Sequence, residues 1–149
     1  MNSQKTAGFV DSNIIIYSLN NTSSFQNQAS KFLQGLLDSS FYLTPQVILE
    51  TYNVITDLKK AIEPLTPKQA NSALNSILSH PACVLIIPTQ KTLSTCIELA
   101  AHYNIKGKQK IYDCYLAATL LENHIEALYT ANTEDFKTFP FLHPQNPLK

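Results

Sequence analysis

Short, strand-like apolar runs alternate along this chain with longer segments of helical spacing, and that alternation limits the available folds more than any other feature. The short runs are Gly8 to Val10, Phe41 to Leu43, Val84 to Ile87 and Ala127 to Tyr129, and Phe139 to Leu142 reads as a last one. Strands separated by helices do not pair as hairpins, so the pattern specifies an α/β domain with a mainly parallel sheet covered by helices. No repeat, linker or low-complexity stretch divides the 149 residues, and 44% apolar with 15% charged content supplies one sizeable core. The expected organisation is a single domain over residues 1–142 and an irregular tail over 143–149, where two prolines interrupt His143-Pro144-Gln145-Asn146-Pro147.

Helix starts are well marked. Thr44-Pro45 and Thr66-Pro67 each place a capping hydroxyl before a proline, and Gln69 stands three residues after Thr66 as in a capping box. The helices expected run over Asn13 to Ser18, Gln46 to Lys59, Leu65 to Ser79, Thr89 to about Tyr103 and Tyr112 to Leu121. Asn104 to Lys110 is expected to be a loop.

Three acids occupy informative contexts within this pattern. Asp11 follows the first strand, and in a doubly wound sheet the carboxyl ends of strands border the ligand crevice. At about 100° per residue, Val47, Ile48, Thr51, Val54, Ile55 and Leu58 form one stripe, with Glu50 roughly 40° beyond its edge. In the later helix, Ile111, Cys114, Ala117, Ala118, Leu121 and Ile125 form a stripe with Asp113 at a similar offset of about 40°. Each acid also has an ordinary reading: Asp11 as a helix cap, Glu50 as a solvated residue, Asp113 as a partner of the helix dipole. A turn rich in oxygen-bearing side chains follows the fourth run, where Asn132 or Asp135 could complete an acidic cluster or cap a short helix.

Composition excludes several classes. The formal net charge is zero, so any attraction to phosphate must come from a local patch. Cys83, Cys96 and Cys114 form no paired motif, and Met-Asn-Ser-Gln-Lys is not the start of a signal peptide, so a cytoplasmic protein is expected. No apolar stretch approaches the roughly 20 residues of a membrane span. There is no Gly-x-Ser-x-Gly elbow, no phosphate-binding glycine loop and no His-x-x-x-His pair, so His80, His102, His124 and His143 are read as structural or surface residues. A receiver-type phosphorylation domain would need paired acids after the first strand, and Asp11 has no acidic neighbour.

Phe9-Val10-Asp11-Ser12-Asn13-Ile14, Thr44-Pro45-Gln46-Val47-Ile48-Leu49-Glu50, Asp113-Cys114-Tyr115-Leu116-Ala117-Ala118 and Thr130-Ala131-Asn132-Thr133-Glu134-Asp135-Phe136 together resemble the PIN-domain nucleases, and most closely VapC-type toxins. The resemblance spans nearly the whole chain in the family's order. It implies a five-stranded parallel sheet between helices. It also implies a Mg²⁺- or Mn²⁺-dependent endoribonuclease acting on RNA, commonly homodimeric and inhibited by a VapB-like antitoxin. By position, Asp11, Glu50 and Asp113 match the catalytic metal-binding acids, while Asn13 and Thr130 match supporting residues, with Ser12 keeping the hydroxyl of the Asp-Thr-Asn motif. The pattern departs at Asn132, where many members have Asp, and Asp135 matches a less strictly catalytic position.

Lys106, Lys108 and Lys110 lie just before Asp113 and could receive the RNA backbone beside the metal, or be plain solvated loop charges. The competing functional reading is a non-catalytic PIN-like module that binds RNA or protein, for which Asn132 is the only support. The apolar faces of Ser23 to Leu37 and Leu65 to Leu78 are open to either core packing or a dimer or antitoxin contact.

Overall fold

A computed structural model describes residues 7–61, 63–107 and 110–149. Five short strands, β1 (Gly8–Val10), β2 (Phe41–Leu43), β3 (Cys83–Leu85), β4 (Ala127–Tyr129) and β5 (His143–Gln145), form one sheet in the order β3-β2-β1-β4-β5. Every neighbouring pair is parallel: Gly8 faces Phe41, Phe9 faces both Tyr42 and Leu128, and Tyr129 faces Gln145. Around the sheet lie α1 (Ser12–Leu19), α2 (Gln26–Leu36), α3 (Pro45–Ile55), α4 (Pro67–Leu78), α5 (Gln90–His102) and α6 (Lys110–Glu122), with a short 3-10 helix over Thr133–Phe136. Among the described residues no helix is long and apolar enough to cross a membrane.

The caps legible in the sequence are formed. Thr44 Oγ1 accepts from the Val47 N–H, and Thr66 and Gln69 exchange both bonds of the capping box, with Pro45 and Pro67 in the first turns. The later end of α3 differs from expectation. The helix stops at Ile55 rather than Lys59, because the Thr56 hydroxyl bonds back to the Tyr52 carbonyl and the Asp57 side chain accepts the Lys59 N–H, turning the chain aside. Leu58, expected on the buried stripe, is therefore 83% exposed.

The last strand also differs. Phe139 to Leu142 is a turn whose buried Phe139 and Leu142 anchor it to the core, and the strand is His143–Gln145, within the segment expected to be an irregular tail. Proline is tolerated because β5 is an edge strand: Pro144 needs no donor on its outer side, while His143 N–H and Gln145 C=O supply the bonds toward Glu126 and Thr130. Leu148 beyond it is buried, so the final residues belong to the domain.

The main core lies between sheet and helices around Phe9, Val10, Ile14, Phe32, Leu43, Leu120 and Leu128, with a smaller cluster of Ile55, Ala70 and Leu74 joining α3 to α4. α6 is turned slightly from its expected stripe: Cys114, Ala117, Ala118, Thr119 and Leu120 are buried, whereas Ile111 and Leu121 remain partly exposed. Glu122 at its end accepts from the Thr92 and Thr95 hydroxyls of α5 at 2.7 Å each, which fixes the helix that carries Asp113. The apolar faces of α2 and α4 pack inward, and large exposed apolar side chains lie instead on α3 (Leu49), on and after β3 (Val84, Leu85, Ile87) and on α5 (Leu93, Ile97).

At one glycine the backbones approach too closely for a side chain. A Cβ on Gly8 would lie 2.8 Å from the Tyr129 ring and 2.9 Å from both Ala127 Cβ and the Ala127 carbonyl oxygen. Gly8→Ala must push β1 from β4, and it is expected to destabilise the fold by about 1–3 kcal/mol in urea unfolding. An unchanged midpoint would show that the two strands separate without cost.

Candidate active site

Strand order reverses between β1 and β4, and in such a sheet the crevice above the carboxyl ends at the reversal is the natural ligand site. β1 delivers Asp11 there and β4 delivers Thr130, with the Asp11 N–H bonded to the Tyr129 carbonyl at 2.9 Å. One carboxylate oxygen of Asp11 accepts the Ser12 N–H at 2.8 Å and so caps α1. The other accepts the Thr130 hydroxyl at 2.8 Å and the Asn13 amide at 3.4 Å. Capping and site duties thus coexist on separate oxygens.

Thr130 is fully buried, and its hydroxyl is saturated: it donates to Asp11 and accepts from the Asn132 N–H at 3.0 Å and from Asn13 Nδ2 at 3.2 Å. Asn13 Oδ1 accepts the Ala131 N–H at 3.1 Å, so Asn13 bridges the first turn of α1 to the end of β4. Glu50 projects from α3 and is held by Gln46 Nε2 at 2.8 Å one turn earlier and by the Ser12 hydroxyl at 3.2 Å. Sequence reasoning passed over Gln46, although its four-residue spacing from Glu50 is a signal that could have found it.

Asp113 lies in the first turn of α6, half-buried. Loss of hydration, followed by the charges of Asp135, Asp11 and Glu50, pushes its carboxyl up to about 6. Asp11 is raised as well, chiefly by burial, against the lowering effect of the Thr130 and Ser12 hydrogen bonds. Asp135, on the 3-10 helix, is the largest charge acting on Asp113. The structure therefore brings a fourth carboxylate to the site from Asp135, while Asn132 lines the same cavity as a neutral amide.

Asp11, Glu50, Asp113 and Asp135 line one cavity of about 510 Å³, together with polar Ser12, Asn13, Gln46, Asn53 and Asn132 and with Lys60 and Tyr112. Lys60, absent from the sequence reading, reaches it because the chain turns aside after Ile55. A second cavity of about 350 Å³ shares Asp113 and Asp135 and contains Lys106 and Lys110. Lys108 lies outside the described residues. Cys96 and Cys114 are buried, and burial pushes the Cys114 thiol up to about 12, which leaves it inert as a nucleophile. His80 Nδ1 accepts the Ala82 N–H, and His143 lies beside Glu126, so neither enters the site.

Among the described residues no three His, Cys, Asp or Glu side chains stand close enough to chelate a bare ion together. Four carboxylates around one cavity, two of them raised in proton affinity, are nonetheless a fitting donor set for a hard dication that keeps much of its water shell and binds few carboxylates directly.

The PIN domain family model matches residues 8–142. This chain belongs to the PIN domain family. Over 145 residues it is 27% identical to the VapC ribonuclease Mb2897 of Mycobacterium bovis and to Ribonuclease VapC43 of Mycobacterium tuberculosis, covering 93% of this chain and 94% of each relative. Among solved structures, the fold matches VapBC2 from Rickettsia felis, a complex bound to a promoter DNA fragment, with a TM-score of 0.67 at 20% identity over 94% of this chain and 98% of that one. It also matches VapC20 of Mycobacterium tuberculosis, a toxin that cleaves the sarcin-ricin loop, with a TM-score of 0.60 at 15% identity over 82% and 87%. The expected five-stranded parallel sheet and family are thereby borne out.

The raised carboxyl of Asp113 carries a definite pH signature. Its folded value of about 6 exceeds the ordinary 3.8, so between these values the folded chain holds more proton than the unfolded one. Stability from this group consequently falls as pH rises through that window, and its penalty is complete above about 6. In EDTA, the Tm advantage of Asp113→Asn over the wild type should grow from pH 4 to 6.5 and then level. A gap independent of pH would contradict the electrostatic account.

Proposed function

We propose that this chain is a divalent-metal-dependent endoribonuclease of the VapC toxin type, using Mg²⁺ or Mn²⁺, active in the cytoplasm and inhibited by a cognate VapB-like antitoxin. The observation that carries the reading is the convergence of Asp11, Glu50, Asp113 and Asp135 on one cavity at the sheet's reversal point. Relatives named as ribonucleases, aligned along 93% of the chain, support the activity. The matched VapBC2 complex supports the partner.

A bound Mg²⁺ supplies charge neutralisation at the phosphate and eases ionisation of the attacking water. The chain's own residues build the setting for that chemistry. Thr130 and Asn13 fix the rotamer of Asp11, and Gln46 and Ser12 fix that of Glu50. Asp113 on α6 and Asp135 on the 3-10 helix add charge to the same cavity. The non-catalytic alternative rested on Asn132, and Asp135 beside Asp113 removes most of that support. Exposed Leu49, Ile87, Leu93 and Ile97 are the apolar side chains we assign to a homodimer or antitoxin contact.

Purified protein with structured RNAs and Mg²⁺ is expected to cleave at internal positions, and Asp11→Asn is expected to abolish cleavage. Thr130→Val, which removes only the hydroxyl, should reduce activity by about 10- to 100-fold. No cleavage of any RNA by the wild type favours the binding module. Clustered carboxylates also predict that millimolar Mg²⁺ raises Tm relative to EDTA, by mass action on the folded state. Equal melting in the two buffers would count against a cation at this cluster.

A further inference from the structure

We propose that the cavity beyond Asp113 and Asp135 is a subsite for one unpaired nucleotide next to the scissile phosphate, with Lys106 and Lys110 holding its phosphate and the Asn104 amide reading its base. The proposal rests on the nuclease reading above. Its first support is position: this cavity shares Asp113 and Asp135 with the acidic one, so a polynucleotide whose phosphate reaches the acids continues directly into it.

The chemistry changes across that shared wall. The acidic cavity holds four carboxylates and one lysine, whereas the neighbouring one sets two lysines against three carboxylates, Asp113, Asp135 and Glu134, beside the partly exposed Tyr103 and Ile105. Among the described residues neither Lys106 nor Lys110 is in an ion pair, and Glu134 on the rim is engaged by Lys137. Cations next to aromatic surface suit a nucleotide, which presents a phosphate and a flat π-face. The end of α5, the start of α6 and the segment after β4 line this space, and in the proposal a base enters it without its pairing partner.

Asn104 is aimed by its backbone. It sits at φ 54°, in the left-handed conformation that closes α5, with Ile105 N–H bonded to the Ala100 carbonyl at 2.8 Å. Its exposed side-chain amide makes no hydrogen bond among the described residues, which leaves a donor pair and an acceptor for a base edge. The chain has eleven basic residues, all lysines. Without a guanidinium fork, phosphate is held by point charges alone, and base selection falls to neutral groups such as this amide.

The test is a fluorescence-polarisation titration of labelled hexaadenylate, hexacytidylate and hexauridylate onto Asp11→Asn protein with Mg²⁺, where cleavage does not compete. Lys106→Gln with Lys110→Gln should weaken binding about tenfold and reduce the slope of log K against log salt by about 0.7, for the one phosphate that is no longer neutralised. Asn104→Gly keeps the left-handed turn and should leave Tm unchanged, yet it should weaken one homopolymer several-fold and spare the others. In the active chain the same substitutions should raise KM more than they lower kcat. An unaltered salt slope overturns the proposal, as does an Asn104→Gly effect that is absent or equal for all three strands. A duplex of the same length binding as tightly as the single strand also overturns it. Absence of cleavage by the wild type overturns the nuclease reading instead, and leaves this titration to be decided by binding.

Discussion

The Thr130 hydroxyl, 2.8 Å from the Asp11 carboxylate, ties the site to the fold. Its donor and both lone pairs are used, and each partner comes from a different piece of backbone: the end of β1, the first turn of α1 and the turn after β4. That geometry exists only if β1 and β4 approach as closely as Gly8 permits. A slip of either strand would leave a part-buried carboxylate without one of its donors, at a cost in stability. The same bond therefore selects the strand register and sets the direction of the acid.

Around that anchor the site works against the stability of the domain that holds it. Asp11 and Asp113 are both raised in proton affinity, chiefly by burial, and each feels the negative charges of its neighbours. Apart from Lys60, the remaining polar wall is neutral: Ser12, Asn13 and Gln46 orient groups by hydrogen bonds, and Asn53 and Asn132 add amides without anionic charge. Such a pocket is under-compensated, so substitutions that remove acids are expected to be stabilising and, on the proposed reading, inactivating together. Ties outside the site hold its walls against this repulsion, notably Glu122 between Thr92 and Thr95, which secures α6 and with it Asp113.

Much of this was legible in the residues because it is encoded locally. Four of the five strands, the caps at Thr44 and Thr66, and the placement of Asp11, Glu50 and Asp113 follow from apolar period and capping chemistry read over a few residues. The failures share a cause as well. β5 was hidden because Phe139 and Leu142 carry the apolar signal while anchoring a turn, and because Pro144 is disfavoured in strands except at an edge. α3 ends early because the side-chain bonds of Thr56 and Asp57 outcompete one more helical turn, although Leu58 keeps the period. Gln46 aside, the remaining site residues, Lys60 and the Ser12–Glu50 bond, depend on contacts distant in sequence, which no local pattern reports.

Asn132 and Asp135 show how a site can keep its charge while changing its position. The Asn132 N–H must donate to Thr130, which holds that residue near the buried Asp11, where another carboxylate would raise the cost of ionising it further. The neutral amide avoids that cost. The short 3-10 helix then carries Asp135 to the more exposed side, where its charge acts first on Asp113 and only after Glu50 on Asp11. Negative charge is thereby weighted toward α6, the wall that the acidic cavity shares with the lysine-lined one. On the proposed reading, carboxylates for a cation and lysines for a neighbouring phosphate meet at that wall.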